Sequence, residues 1–174
     1  MTPLPSSRGG GSGPLVAWRL CETRYANTWD DGEGSFRNGG RWNSEGVRAV
    51  YCSLDPATAI LEVAVHVGFD TLDTVPHTLT KLEIADSTRV HVVEPSAIPN
   101  ENWLGLGDPS AGQQRFGNNL LRKNDFIVIP SAVAPHSWNL MFERGRAEGH
   151  YKLLTQERFA LDTRLNPPIS ITYR

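Results

Sequence analysis

Cysteine, lysine and long apolar runs are all scarce in this chain of 174 residues, and each shortage narrows what it can be. Cys21 and Cys52 are the only cysteines; they form no Cys-x-x-Cys pair and have no histidine at zinc-ligand spacing, so neither a disulfide framework nor a structural metal is expected. That usage fits a reducing compartment, and the expected location is cytoplasmic. No apolar run approaches the ~20 residues needed to span a bilayer, so no membrane partner is expected. Residues 1–13, rich in Pro, Gly and Ser, lack the apolar stretch of a signal peptide and read as a flexible tail or linker. An excess of one charge is missing too. Seventeen basic against nineteen acidic residues leave a net charge of -2, and direct nucleic-acid binding is not expected.

What is present suits a globular protein. The chain is 39% hydrophobic and 21% charged, too apolar for disorder. A prior of roughly 100–200 residues per domain makes residues 14–174 a single domain. Fourteen of the seventeen cations are arginine, whose planar fork suits phosphate and carboxylate bidentately.

Hydrophobic periodicity predicts a strand over Leu15–Leu20, then a long aperiodic loop to Gly46. Loops of that length are commonly functional, and Trp29, Phe36 and Trp42 argue against disorder, so this one is expected to line a site. A second strand is predicted over Val47–Cys52. A helix follows, opened by Asp55 as N-cap with Pro56 at the first helical position, running to Val67 and stopped by Gly68. Ala57, Ile60, Leu61, Ala64 and Val65 form its expected core face, and Thr58, Glu62 and His66 recur every fourth residue as one polar stripe. Further strands are predicted over Thr78–Ile84, Arg89–Val93, Phe126–Ile129, 137–142, 151–155 and 158–163. A second helix is expected to open at Asp108-Pro109 and end near Asn124, with Phe116, Leu120 and Leu121 inward. The expected class is α+β, with more strand than helix.

Three features carry chemistry. Gly39-Gly40 let a backbone approach a ligand closely, and Arg41 beside them offers a fork of donors to a phosphate. Tyr51 ends a strand where its ring can stack on a heterocycle. Glu62 stands on a helix that is otherwise almost wholly apolar, which favours a cavity over bulk water. Taken singly, each has a plainer explanation: a surface turn, a half-buried core tyrosine, a solvated helix carboxylate. Loop end, strand end and helix fall within a short stretch, so the three can converge on one cleft.

Trp18-Arg19, Arg24-Tyr25-Ala26, Gly32-Glu-Gly34, Gly39-Gly-Arg-Trp-Asn-Ser-Glu-Gly46, Val50-Tyr-Cys-Ser53, Ala59-Ile-Leu-Glu-Val63, His66, Pro130-Ser131 and Ser137-Trp-Asn139 together resemble the RES-domain family. That family is named for its Arg, Glu and Ser; its members are bacterial toxins, usually encoded beside an Xre-type antitoxin. The resemblance covers most of residues 16–142. It implies an ADP-ribosyltransferase-like fold, a mixed β-sheet core with flanking helices, with NAD+ as substrate, no prosthetic group and no metal. Position by position it gives catalytic roles to Arg41, Tyr51 and Glu62 and substrate-binding roles to Arg24, Tyr25, Ser131 and Asn139. The reaction implied is cleavage of the nicotinamide–ribose bond with ADP-ribose passing to water or phosphate. The alternative is modification of a protein acceptor in nucleotide metabolism, such as phosphoribosyl pyrophosphate synthetase. An Xre-type antitoxin partner is implied, and a homodimer is left open. One departure is visible: many relatives continue after Ser-Trp-Asn through apolar residues to Asn-Pro, whereas this chain has Leu140-Met-Phe-Glu-Arg144, which weakens any transfer of the antitoxin contact.

Two other readings of the residues compete. A non-catalytic nucleotide-binding module would need the arginines but not Glu62. A serine hydrolase built on Ser131, His136 and Asp125 lacks the Gly-x-Ser-x-Gly elbow that exposes such a nucleophile.

Overall fold

Period-two alternation and one fully apolar run supply the strands of a single mixed sheet. In the computed structural model, which describes residues 14–105 and 107–167, the strands are β1 (Leu15–Glu22), β2 (Val50–Ser53), β3 (His77–Ile84), β4 (Val90–Val92), β5 (Phe126–Pro130), β6 (Trp138–Phe142) and β7 (Tyr151–Phe159). Their spatial order is β4-β5-β6-β2-β1-β3-β7, antiparallel except for the β4–β5 pair. The helices are α1 (Glu33–Asn38), α2 (Pro56–Thr74), α3 (Ala111–Lys123) and the single turn α4 (Arg144–Ala147). This is the α+β architecture expected. The tail assigned to residues 1–13 lies outside the described residues. No helix among those described is long and apolar enough to cross a membrane.

The two faces of the sheet are covered differently. One buries Leu15, Ala17, Val50, Leu82, Phe126, Leu140 and Phe142 beneath Trp29 and Ala147. The opposite face is covered in two patches. Ile127, Ile129 and Met141 pack under Trp42 and Leu121 of α3, while Leu20 and Leu79 pack under Ile60, Val63, Ala64 and Leu72 of α2. Strand alternation places Tyr51, Ser53 and Asn139 on this second face, in the strip between the two patches. That strip is where polar side chains collect.

Several expectations need correction. β2 begins at Val50, not Val47. Asp55 caps α2 as expected, accepting from the Thr58 amide at 2.8 Å, and Gly68 breaks the helix at φ 80°, but the chain then resumes helically through Thr74. The packed face of α2 is also rotated. Leu61 and Val65 are 36% and 54% exposed, while Thr58 and Ala59 are buried. The reason is polar: the Thr58 hydroxyl lies 2.7 Å from both Asp55 Oδ2 and Ser137 Oγ, which draws the Thr58–Glu62 side down onto the sheet. α3 opens not at Asp108-Pro109 but at Ser110, whose hydroxyl accepts from the Gln113 amide; serine caps as well as aspartate. Residues 21–46 are not all loop: a 3₁₀ turn (Thr23–Thr28) and α1 interrupt them. The two strands expected over 151–155 and 158–163 are one, because β3 offers a continuous ladder with only a bulge at Lys81/Leu82. Strand does not exceed α-helix among the described residues; the two are equal in length.

Candidate functional site

The polar side of α2 meets the strip of β2 and β6 at Glu62. Its Oε1 accepts from Ser131 Oγ at 2.8 Å and from Asn139 Nδ2 at 2.5 Å. Asn139 is itself oriented by Ser53, whose hydroxyl donates to Asn139 Oδ1 at 2.8 Å. Ser131 stands where β5 ends at Pro130. Its oxygen accepts from the amides of Val133 and Ala134, and its own amide donates to the Ser137 carbonyl, in a tight turn that holds His136 at φ 73°. With its lone pairs engaged, the hydroxyl has its proton free for Glu62. Both donors reach the same carboxylate oxygen, and no described side chain bonds to Oε2. The carboxylate is thus fixed by one oxygen and offers the other.

Tyr51 approaches from the floor. Its hydroxyl donates to Asn43 Oδ1 at 2.7 Å and accepts from the Trp42 amide at 3.1 Å. Asn43, fully buried, spends its amide on the carbonyls of Ser35, Ser44 and Val47 and so ties the whole Gly39–Gly46 turn together. Gly40 has to be glycine, since a Cβ there would meet Asn43 Oδ1 at 2.6 Å and the Tyr51 hydroxyl at 3.0 Å. Burial pushes the Tyr51 phenol well above the ordinary tyrosine range; the Trp42 amide opposes that rise, the Glu62 charge adds to it and the Arg41 charge opposes it. The phenol therefore stays protonated and keeps its bond to Asn43. Replacing Tyr51 by Phe should strand the buried Asn43 carbonyl and the Trp42 amide, lowering unfolding free energy by about 1–3 kcal/mol, as urea denaturation would record.

Arg41 is held at the rim. Its Nη1 donates to the carbonyls of Trp103 and Gly105 at 3.2 Å, and its Nη2 to that of Gly107 at 3.3 Å. These are long bonds to neutral acceptors, and phosphate oxygens form shorter, stronger ones with a guanidinium. The cleft expected between these groups is therefore bordered, at Arg41, by the carbonyls of Trp103, Gly105 and Gly107. A hollow of about 410 Å³ opens elsewhere, bordered by Asp31, Glu33, Arg48, Glu143, Arg144 and Glu148. It sits at the opposite end of β2 and β6 from Ser53 and Asn139, and its four carboxylates against two guanidiniums are poorly suited to an anionic ligand.

Arg41, Tyr51, Glu62, Ser131 and Asn139 are thus brought into one neighbourhood. Arg24 and Tyr25 are not joined to it by any hydrogen bond: they lie exposed on the Thr23–Thr28 turn, where Arg24 pairs with Glu22 at 2.7 Å and its guanidinium sits 4.7 Å from the Tyr25 ring centre. The serine-hydrolase arrangement is absent, since Ser131 serves Glu62, Asp125 is paired with Arg89 and Arg146, and His136 is exposed. Reading by sequence missed the organising parts played by Asn43 and Ser53. Both lie in stretches that carry the family resemblance, Gly39–Gly46 and Val50–Ser53, but nothing in their spacing marks the bonds to Tyr51 and Asn139.

The chain is 29% identical over 155 residues to a protein of Photorhabdus laumondii named Toxin Res, covering 87% of this chain and 97% of that one. It is 29% identical over 132 residues to a Sphingobium protein named Prs ADP-ribosylating toxin, covering 71% and 79%. Among solved structures, the Mycobacterium tuberculosis MbcT–MbcA toxin–antitoxin complex contains a chain of the same fold, with a TM-score of 0.67 at 17% identity over 86% of each. The RES domain profile matches residues 16–162, which take in the Gly39–Asn43 turn, Tyr51, Glu62, Ser131 and Asn139 alike, and this chain belongs to the RES domain family.

Proposed function

We propose that the protein is a toxin that consumes NAD+ by cleaving the bond between nicotinamide and ribose. The observation that carries this reading is the Glu62 carboxylate, fixed through one oxygen by Ser131 and Asn139, its other oxygen unbonded among the described residues, over the sheet face that also carries Tyr51. Nicotinamide in NAD+ is a pyridinium. When its C–N bond breaks, the electron pair stays on the ring nitrogen, and a neutral base departs without needing a proton. Positive charge is left on the ribose as an oxocarbenium-like transition state, and one placed carboxylate is the group that state calls for. Arg41 holds the pyrophosphate in exchange for its carbonyl contacts, and the Tyr51 ring packs against the nicotinamide–ribose end. Water or phosphate then adds its oxygen to the anomeric carbon and gives up its proton to solvent, yielding ADP-ribose or its 1-phosphate.

A second acceptor is favoured by the Sphingobium relative, whose name states ADP-ribosylation of Prs. The first half-reaction is the same, with a protein side chain in place of water. An antitoxin that covers the cleft is part of the proposal, in keeping with the complex in which the structural neighbour was solved, and an Xre-type protein is the expected one. Purified protein incubated with NAD+ should release free nicotinamide, measured by chromatography, and mass analysis of added Prs separates the two acceptors. Unchanged NAD+ in the presence of water, phosphate and Prs together would refute the proposal.

A further inference from the structure

β1 and β2 are neighbours in the sheet, yet they register through one pair, Trp18↔Ser53, whereas β1 and β3 run together over eight residues. Past that pair, toward Leu20 and Tyr51, the two strands part. A parted ladder leaves backbone groups in need of other partners. Here the Tyr51 carbonyl accepts from Arg19 Nη1 at 2.7 Å. Arg19 pairs with no carboxylate among the described residues, and its Nε is buried without any hydrogen-bond partner. Cys21 and Cys52 share its apolar sheet face, and the Arg19 charge opposes the rise that burial gives both thiols. A cation kept there with a donor idle is destabilising, and one carbonyl is a small structural return for it.

Strand alternation puts Arg19 on the sheet face of Ala17 and Cys21, opposite the Tyr51 ring and Glu62. It cannot reach a ligand lying over Glu62. Its influence on that side passes through the Tyr51 peptide.

We propose that Arg19 is a positioning residue for the cleft: its guanidinium holds the parted edge of β2 at the Tyr51 carbonyl and so sets the phenol beneath the Gly39–Asn43 turn. This rests on the reading of the cleft as the site of NAD+ cleavage. A misplacement of about 1 Å in such a group costs on the order of 100-fold in rate. The test is a double-mutant cycle on nicotinamide release, with thermal unfolding followed for every variant. Arg19→Gln should lower kcat/KM by about tenfold or more, Arg19→Lys should restore it to within about threefold of wild type, and Arg19→Gln added to Tyr51→Ala should cost less than about twofold beyond Tyr51→Ala alone. Arg19→Met makes the same comparison if Arg19→Gln does not fold. A purely structural Arg19 would give losses that multiply in the two backgrounds, or an Arg19→Lys variant as impaired as Arg19→Gln, and either result overturns the proposal. Wild-type protein that releases no nicotinamide overturns instead the reading on which it rests.

Discussion

Glu62→Gln should abolish most NAD+ cleavage while leaving the protein folded and NAD+ binding within about tenfold of wild type. The substitution removes a charge and little else. A glutamine can keep its carbonyl oxygen where Oε1 now accepts from Ser131 and Asn139, so the local network survives. On the proposed reading, what is lost is the negative charge facing the ribose as positive charge develops there. A unit pair at ~4 Å in an effective dielectric near 20 is worth about 4 kcal/mol, on the order of 10³ in rate. On the same reading binding depends mainly on Arg41 and the Tyr51 ring, which the variant leaves in place. Single-turnover rates and equilibrium titration with NAD+ measure the two effects separately. Equal losses in both would mean that Glu62 grips the substrate in its ground state and does not act selectively on the transition state.

The second large effect lies outside the proposed catalytic groups. Gly117→Ala should destabilise the fold by about 3 kcal/mol or more, a fall in Tm of roughly 6–12 °C for a chain of this size. A Cβ at this position would lie 1.9 Å from the Trp42 carbonyl oxygen and 2.6 Å from its carbon, both backbone atoms that cannot swing aside. α3 approaches the Gly39–Asn43 turn at just this point. Ser44 and Gly40 are bonded to it by Asn118 and Gln114, so the helix cannot retreat without dragging the turn that carries Arg41 and Asn43. Activity should fall with stability for that reason. Gly34→Ala on α1 is the control, because a Cβ there meets nothing within 4 Å and the variant should melt within a few degrees of wild type. Calorimetry of both variants distinguishes a specific close approach from a general cost of adding a methyl group.

Much of this arrangement was legible in the sequence, and the reasons differ by element. β5 could be recognised because Phe126–Ile129 is wholly apolar and ends at a proline, and all five of its residues are buried. The start of α2 could be recognised because Asp-Pro states an N-cap chemically, and the cap bond is present. The face of α2 could not. Its residues are apolar nearly all round, so periodicity has little contrast, and the choice is made by the Thr58 and Glu62 bonds to residues some 70–80 positions away. For the same reason Glu62 was identifiable as an unusual carboxylate while its partners Ser131 and Asn139 came only through the family resemblance. Spacing along a chain does not encode a meeting between a helix and a turn at the end of a distant strand. The commitment of Arg41 to the carbonyls of Trp103, Gly105 and Gly107 was equally out of reach, since backbone acceptors leave no mark on the sequence.

The most direct test of the account is a crystal structure of the protein with a non-cleavable NAD+ analogue. The prediction is that Glu62 Oε2 lies within hydrogen-bond distance of the nicotinamide ribose, with Arg41 released from the carbonyls of Trp103, Gly105 and Gly107 and bound to the pyrophosphate. An analogue seated instead in the hollow between Asp31 and Glu148, with the Glu62 cleft unchanged, would contradict it.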